Sequence, residues 1–204
     1  MSTAERHDAL RIALLDAAER RVAHAGLSDL RARDLAREAG CSLGAIYLVY
    51  PDLDALILAV HARTLDGLDA AVRAAGAGEG APEDRLVALA LAYLDWAAAN
   101  RPRWAALFEH RIGGDAAVPP DYRARQARLF RHVEAPLAAL LPGVRSADLA
   151  PLARSVFAAV HGVVSLGLDE KLEAVPLEGL RAGLETVVRA IARGLGKTTR
   201  LGRS

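Results

Sequence analysis

Ala32-Arg33-Asp34-Leu35-Ala36-Arg37-Glu38-Ala39-Gly40-Cys41-Ser42-Leu43-Gly44-Ala45-Ile46-Tyr47-Leu48-Val49-Tyr50-Pro51 is the stretch on which the reading of this chain turns. Leu35 and Ala36 sit in a helical pattern over about residues 32–39 that Gly40 ends. Ser42 is placed to cap a further helix, and Pro51 closes that helix at Tyr50. Two short helices joined by a Gly40-Cys41-Ser42 turn have the dimensions of a helix-turn-helix. In that motif the second helix lies in the major groove with its N-terminal residues at base edges.

The helical pattern continues on both sides. Toward the N-terminus, Leu10, Leu14, Ala18 and Val22 repeat every four residues, which predicts a helix over about residues 5–25 with Gly26 as a left-handed stop. Toward the C-terminus, Asp52 can cap a helix running through Leu56, Leu58 and His61 toward Ala75, before a glycine-rich loop at 76–82. Leu86, Leu89, Ala90, Tyr93, Leu94 and Ala97 then share one helix face. Pro102 begins a short helix with Trp104, Leu107 and Phe108, and Gly113-Gly114 and Pro119-Pro120 bracket the next loop. A helix over 120–141, bent or restarted at Pro136, is followed by two last helices at about 147–171 and 177–195. With no alternating strand pattern and no internal repeat, the fold class is all-α.

The 204 residues are 52% hydrophobic and 25% charged, as in a folded protein with enough chain for one large domain or two small ones. No apolar run free of charges reaches the roughly 18–20 residues needed to span a bilayer. Met1-Ser2-Thr3-Ala4-Glu5-Arg6 lacks the basic-then-apolar opening of a signal peptide, and Cys41 alone cannot build a disulfide framework. The expectation is a cytoplasmic protein without a membrane partner. Its net charge of +1 argues mildly against DNA, unless the contacts are concentrated on one small surface.

The sequence resembles the tetracycline-repressor (TetR) family. The residues that carry the resemblance are Leu14-Leu15-Asp16-Ala17-Ala18, Gly26, Asp34-Leu35-Ala36, the run from Ala39 to Tyr47, and Tyr50-Pro51 followed by Leu56. The resemblance covers about the first quarter of the chain. It implies a homodimeric repressor that binds a near-palindromic duplex DNA operator and is released by a small apolar effector. It also implies DNA contacts from Arg31, Arg33, Ser42, Leu43, Gly44, Ala45, Tyr47 and Leu48. Each has a physical rationale: Gly44 lets the DNA backbone approach, Ser42 caps the helix and donates to a phosphate, Tyr47 reaches a phosphate and Arg33 adds a cation. The alternative for Ser42 and Tyr47 is a plain cap and a core aromatic.

The chain also departs from the family pattern. Arg31 stands where threonine or serine is usual, Leu53 where a phosphate-binding lysine is usual, and no Lys or Arg occurs between Ala39 and Leu56. Leu43, Leu48 and Val49, read as outward-facing, can touch thymine methyl groups but cannot make bidentate base contacts. A second reading therefore stands beside the first: a ligand- or partner-binding dimer whose DNA binding is weak or lost.

Phe157-Ala158-Ala159-Val160-His161-Gly162-Val163-Val164-Ser165-Leu166 resembles the WxxxHGxxxL segment of one TetR subgroup, with phenylalanine for tryptophan. That implies a dimer interface on the last two helices, expected at Val156, Val160, Val163, Leu184, Val188 and Ile191. It divides the chain into a DNA-binding part at 1–52 and a ligand-binding and dimerisation part at 53–204. Six of the nine aromatic residues crowd between Arg85 and Arg131, which predicts an effector pocket of Tyr93, Trp96, Trp104, Phe108, Tyr122 and Phe130 with His110 and His161 as polar groups.

Other motifs carry less. Gly40-Cys41-Ser42-Leu43-Gly44 fits G-x-S-x-G, but a nucleophile elbow follows a strand and none is expected here. Gly194-Leu195-Gly196-Lys197-Thr198 would need glycine where Ile191 stands to complete a phosphate loop, so Lys197, Arg200 and Arg203 read as a frayed basic end. The six histidines contain no i, i+4 pair, and no enzyme, metal or cofactor is expected.

Overall fold

A computed structural model of the protein describes residues 2–78, 80–110, 118–169 and 175–201, with the backbone alone for 198–201. Among these residues the chain forms α-helices and one 3₁₀ turn, without a strand. The helices are α1 (Thr3–Ala25), α2 (Ala32–Glu38), α3 (Leu43–Ile46), α4 (Leu53–Gly76) and α5 (Pro82–Ala99). They continue as α6 (Arg101–Glu109), α7 (Pro120–Leu140), α8 (Ser146–Leu168) and α9 (Leu177–Leu201), and the 3₁₀ turn is Leu27–Asp29. The all-α expectation holds.

Two compact units result: Met1–Asp66 with Asn100–Arg123, and Gly67–Ala99 with Ala124–Ser204. The sequence reading divides the chain at 52/53, whereas packing changes over at Asp66/Gly67 inside the continuous helix α4. The first unit extends that far because Leu56, Ile57 and Val60 of α4 join the cluster made by α1, and Ala106 of α6 joins it too.

In the first unit α1 begins earlier than its apolar stripe suggests. Ser2 accepts a hydrogen bond from the Glu5 N–H while Glu5 accepts one from the Ser2 N–H, a capping box that satisfies two otherwise unpaired donors. Gly26 ends the helix at φ 71° and ψ −163°, which is not left-handed helical but an extended region that only glycine enters freely. Leu14, Ala17, Ala18 and Val22 of α1 are buried with Leu30, Leu35, Ile46, Val49 and Tyr50. Val49 is therefore a core residue and not an outward one. Beyond Ile46 the backbone tightens into i→i−3 hydrogen bonds from Leu48 to Ala45 and from Val49 to Ile46, so α3 is shorter than the expected helix to Tyr50.

In the second unit α9 packs mainly on α5 and secondarily on α8. Its Leu180, Leu184, Val188 and Ala192, four residues apart, are buried, as are Leu86, Leu89, Ala90, Tyr93 and Leu94 of α5. Arg181 pairs with Asp95, while Arg189 lies 2.7 Å from Asp84 and Arg193 3.1 Å from Glu83, so α9 runs antiparallel to α5. Asp69 of α4 pairs with His132 at 3.0 Å and Arg128 at 3.1 Å on α7. Burial pushes its carboxyl up, but the His132 hydrogen bond and the Arg128 charge outweigh it and hold the pKa below the usual range.

Several expectations about element ends change. α7 continues through Pro136, α8 stops at Leu168, and α9 runs on to Leu201 where a frayed end was expected. Gly113-Gly114, Arg203 and residues 170–171 lie outside the described residues. Among the described residues one helix, α8, is long and apolar enough to cross a membrane by length and composition, where no apolar run of that length is expected from the sequence. Asp148 and Arg154 are its only charges, both in its first half.

Four of the six expected interface residues prove to be internal. Val156, Val160, Leu184 and Val188 are buried within the protomer, because the valine stripe of α8 and the leucine stripe of α9 form their own unit's core. Val163 and Ile191 remain half-buried. The faces of α8 and α9 left outside are built from small residues: Ala158, Ala159 and Gly162, with Leu166, on one helix and Ala182, Gly183, Thr186 and Ala190 on the other.

Candidate functional site

Four residues cannot form a helix by themselves, since nucleation costs more than one turn returns. α3 is held instead by its two ends and one face. The Ser42 hydroxyl accepts from the Ala45 N–H at 3.3 Å, Gly40 makes the preceding turn at φ 65°, and Ile46 is buried. With Ile46, Val49 and Tyr50 turned inward, Leu43, Gly44, Tyr47 and Leu48 are turned outward. Their exposure decides their role: Leu43 is 41% exposed, Tyr47 51% and Leu48 67%. Tyr47 is thus not a core aromatic. A Cβ added at Gly44 would meet nothing within 4 Å, so nothing inside the protein requires glycine there. Ala45 is half-buried behind this strip.

α2 is clamped to α1 by charge. Arg21 hydrogen-bonds Glu38 at 2.7 Å and both the carboxylate and the carbonyl of Asp29, and lies 3.7 Å from Asp34. Arg37 is tied to Asp34 at 2.8 Å, whereas the side chains of Arg31 and Arg33 are exposed and make no hydrogen bond or ion pair among the described residues. Tyr50, buried, donates to the Arg11 carbonyl at 3.3 Å beneath the Arg11 guanidinium, and its burial raises its pKa. Arg63 joins Asp16 and Glu19, and Arg103 of α6 joins the same Glu19 at 2.8 Å.

The eight expected pocket residues divide between the two units. In the second, Tyr93, Phe130 and His161 come together around Phe157, whose ring meets Tyr93 and Phe130 edge-on and stacks on His161 at 5.7 Å. Tyr93 Oη lies 2.8 Å from His161 Nδ1, and burial lowers the His161 pKa. Trp96 faces Gly67 of α4. In the first unit Trp104 meets Phe108 edge-on, and Tyr122 is buried, which raises its phenol pKa.

His110, also in the first unit, sits edge-on to His61 with ring centroids 5.5 Å apart. The Nε2 atoms of both are buried and make no hydrogen bond among the described residues; the Asp54 carboxylate is 3.6 Å from that of His110. Sequence reasoning missed His61, because its partner is 49 positions away. Phe157 was read only as a tryptophan replacement, although its i, i+4 relation to His161 was visible. No group of three or more His, Cys, Asp or Glu side chains suited to a metal occurs among the described residues.

Comparisons with known proteins agree with this geometry. Residues 14–60 match the family model for bacterial regulatory proteins of the tetR family, and residues 86–191 match that for the tetracyclin repressor-like C-terminal domain. A solved protein of unknown function from Rhodococcus sp. RHA1 is 29% identical with a TM-score of 0.71, over 92% of this chain and 95% of its own. A tetR-family transcriptional regulator from Streptomyces coelicolor is 22% identical with a TM-score of 0.60, over 98% of this chain and 89% of its own. A TetR-like transcriptional regulator from Rhodococcus sp. RHA1 is 21% identical with a TM-score of 0.60, over 90% and 96%. No curated protein matches the chain.

His61 makes the site pH-sensitive. Burial, and then the neighbouring His110, lower its pKa from 6.5 to about 4. Between those values the unfolded chain binds a proton that the folded protein refuses, so stability is full above pH 6.5 and falls as the pH drops toward 4. The loss is on the order of 3 kcal/mol. Denaturant unfolding at pH 7 and pH 4.5 should show this fall in the parent and a much smaller one in His61→Leu; equal falls would exclude His61 as the cause.

Proposed function

Because the chain belongs to the TetR family of bacterial transcriptional regulators, we propose that it acts as a homodimeric repressor released from its operator by a small apolar effector. The observation that carries the DNA part is the exposed strip Leu43-Gly44-Tyr47-Leu48 on and just after a capped, anchored α3, with the unpaired side chains of Arg31 and Arg33 at the start of α2. Arg31, Arg33, Ser42 and Tyr47 contact phosphates, which fix register. Leu43, Gly44, Ala45 and Leu48 lie toward the bases. A protein occupying an operator excludes polymerase, which is the simplest way for a regulator of this form to act. Such a protein works where the chromosome is, in the cytoplasm.

The dimer is formed through the small-residue faces of α8 and α9, not through the valines and leucines buried beneath them. Support comes from α8, whose apolar surface is little covered within one protomer. Glycine and alanine let two such helices approach closely over a large area, and a two-fold interface uses the same patch from each copy. A membrane is the competing cover for α8. The equally small and exposed face of α9, a helix rich in charge along its edges, favours a second copy.

The effector reading is supported by two groups of rings, described separately. In the second unit Tyr93, Phe130 and Phe157 surround the Tyr93–His161 hydrogen bond; in the first, Trp104 and Phe108 accompany the buried His61–His110 pair. Apolar walls with few polar groups suit a flat or greasy ligand. The second reading, a ligand-binding dimer with weak or lost DNA binding, is favoured by one observation, the absence of any basic side chain on α3.

Tyr47→Phe should weaken operator binding alike for all sequences, and Gly44→Leu should weaken it further by pushing the DNA backbone away. Gel shifts with the protein's own upstream DNA measure both, and parental affinity in both variants would refute the placement of α3. Light scattering at micromolar concentration should give a dimer for the parent and a monomer for Ala182→Arg; a parent that stays monomeric excludes the interface. Apolar compounds that quench Trp96 and Trp104 fluorescence should release DNA at similar concentrations. A ligand that perturbs the tryptophans without changing DNA affinity would disprove the effector mechanism, because linkage is reciprocal.

A further inference from the structure

Resting on the DNA-binding reading above, we infer that this protein recognises its operator through pyrimidine 5-methyl groups in the major groove, with Leu43 and Leu48 as the specificity-determining residues. The strip that α3 turns outward offers little else. Leu43 and Leu48 are both exposed, and Gly44 between them has no side chain and open space around its Cβ position. No Lys, Arg, Asn, Gln or Glu occurs from Ala39 to Leu56. Ser42 already accepts the Ala45 N–H, Asp52 accepts the Ala55 N–H at 2.7 Å, and Asp54 faces His110. Tyr47, the remaining hydroxyl on the strip, stands beside Leu48 and reaches the phosphates in the reading above.

The chemistry of base edges then selects the partner. In the major groove a G·C pair presents the guanine N7 and O6 acceptors and the cytosine amino donor. An A·T pair adds the one apolar group available there, the thymine methyl. An isobutyl side chain pressed on guanine or cytosine strips water from groups it cannot hydrogen-bond, which carries a penalty. Pressed on thymine it buries methyl against methyl. The methyl, not the base pair, is therefore the feature read, and 5-methylcytosine presents the same group at the same position. An operator with thymines opposite Leu43 and Leu48 in each half-site follows, as does affinity for a cytosine at those places only when it is methylated.

The test uses the full-length protein and a random duplex library. From the sequences enriched, each thymine is replaced in turn by deoxyuridine, which removes the methyl and leaves all hydrogen-bonding edges unchanged. At one or two positions per half-site affinity should fall about 4-fold, the value of one buried methyl group. At the same positions 5-methylcytosine should bind several-fold better than cytosine. Leu43→Ala and Leu48→Ala, both at exposed positions, should each bring the thymine-to-uracil preference at one position close to one while leaving the salt dependence unchanged. An enriched duplex indifferent to deoxyuridine everywhere would overturn the inference alone. So would a preference that survives both leucine variants, or equal binding of cytosine and 5-methylcytosine. If no duplex is enriched, the DNA-binding reading falls and this inference with it.

Discussion

The burial of Ile46, Val49 and Tyr50 with Leu14, Ala18 and Leu35 is the interaction on which the exposed surface around α3 depends. A one-turn helix has no stability of its own, so its orientation is whatever its buried face dictates. Once those three side chains are inside, Leu43, Gly44, Tyr47 and Leu48 have no alternative to solvent. The exposed apolar strip is thus a by-product of core packing, and in the proposed function the same strip is the recognition surface. Its apolar character in water is unfavourable, which a covering partner would offset.

Charge is arranged around this strip more than upon it. The chain is nearly neutral, and several acidic residues of the first unit are paired: Asp34, Glu38 and Asp29 with Arg21, and Asp16 and Glu19 with Arg63. The side chains left without a partner at the start of α2, among the described residues, are Arg31 and Arg33. Ion pairing leaves the net charge as it is: residues 1–66 carry eight Arg against ten Asp and Glu, so attraction to a polyanion has to rest on where Arg31 and Arg33 stand and not on a basic excess. The same pairs fix α1, α2, α4 and α6 to each other, since Arg63 and Arg103 share Glu19.

The second unit shows what a helix with two apolar faces does. α8 and α9 each carry a stripe of branched aliphatic residues and a separate face of alanine, glycine, serine or threonine. The branched stripes bury more area per residue and fill the protomer's interior. The small faces are left outside, where their value lies in how near another helix can come. The sequence reading looked for the interface among the largest apolar residues, and those were already spent on the core.

Read by itself, the sequence determined the helical class, nearly every helix and the turn at Gly40, because these rest on local properties: four-residue periodicity, capping side chains and glycine or proline breaks. It also determined the family, through Gly40, Ser42, Gly44, Ile46 and Tyr47 at fixed offsets. Only the tertiary structure decided which apolar residues are core. Val49 looked outward and is buried, and Val156, Val160, Leu184 and Val188 looked like an interface and are internal, since periodicity marks an apolar face without saying what covers it. Only the tertiary structure paired His61 with His110 and gathered Tyr93, Phe130 and His161 about Phe157. Those contacts join residues dozens of positions apart, and such distances are set by how helices pack, which no local pattern encodes.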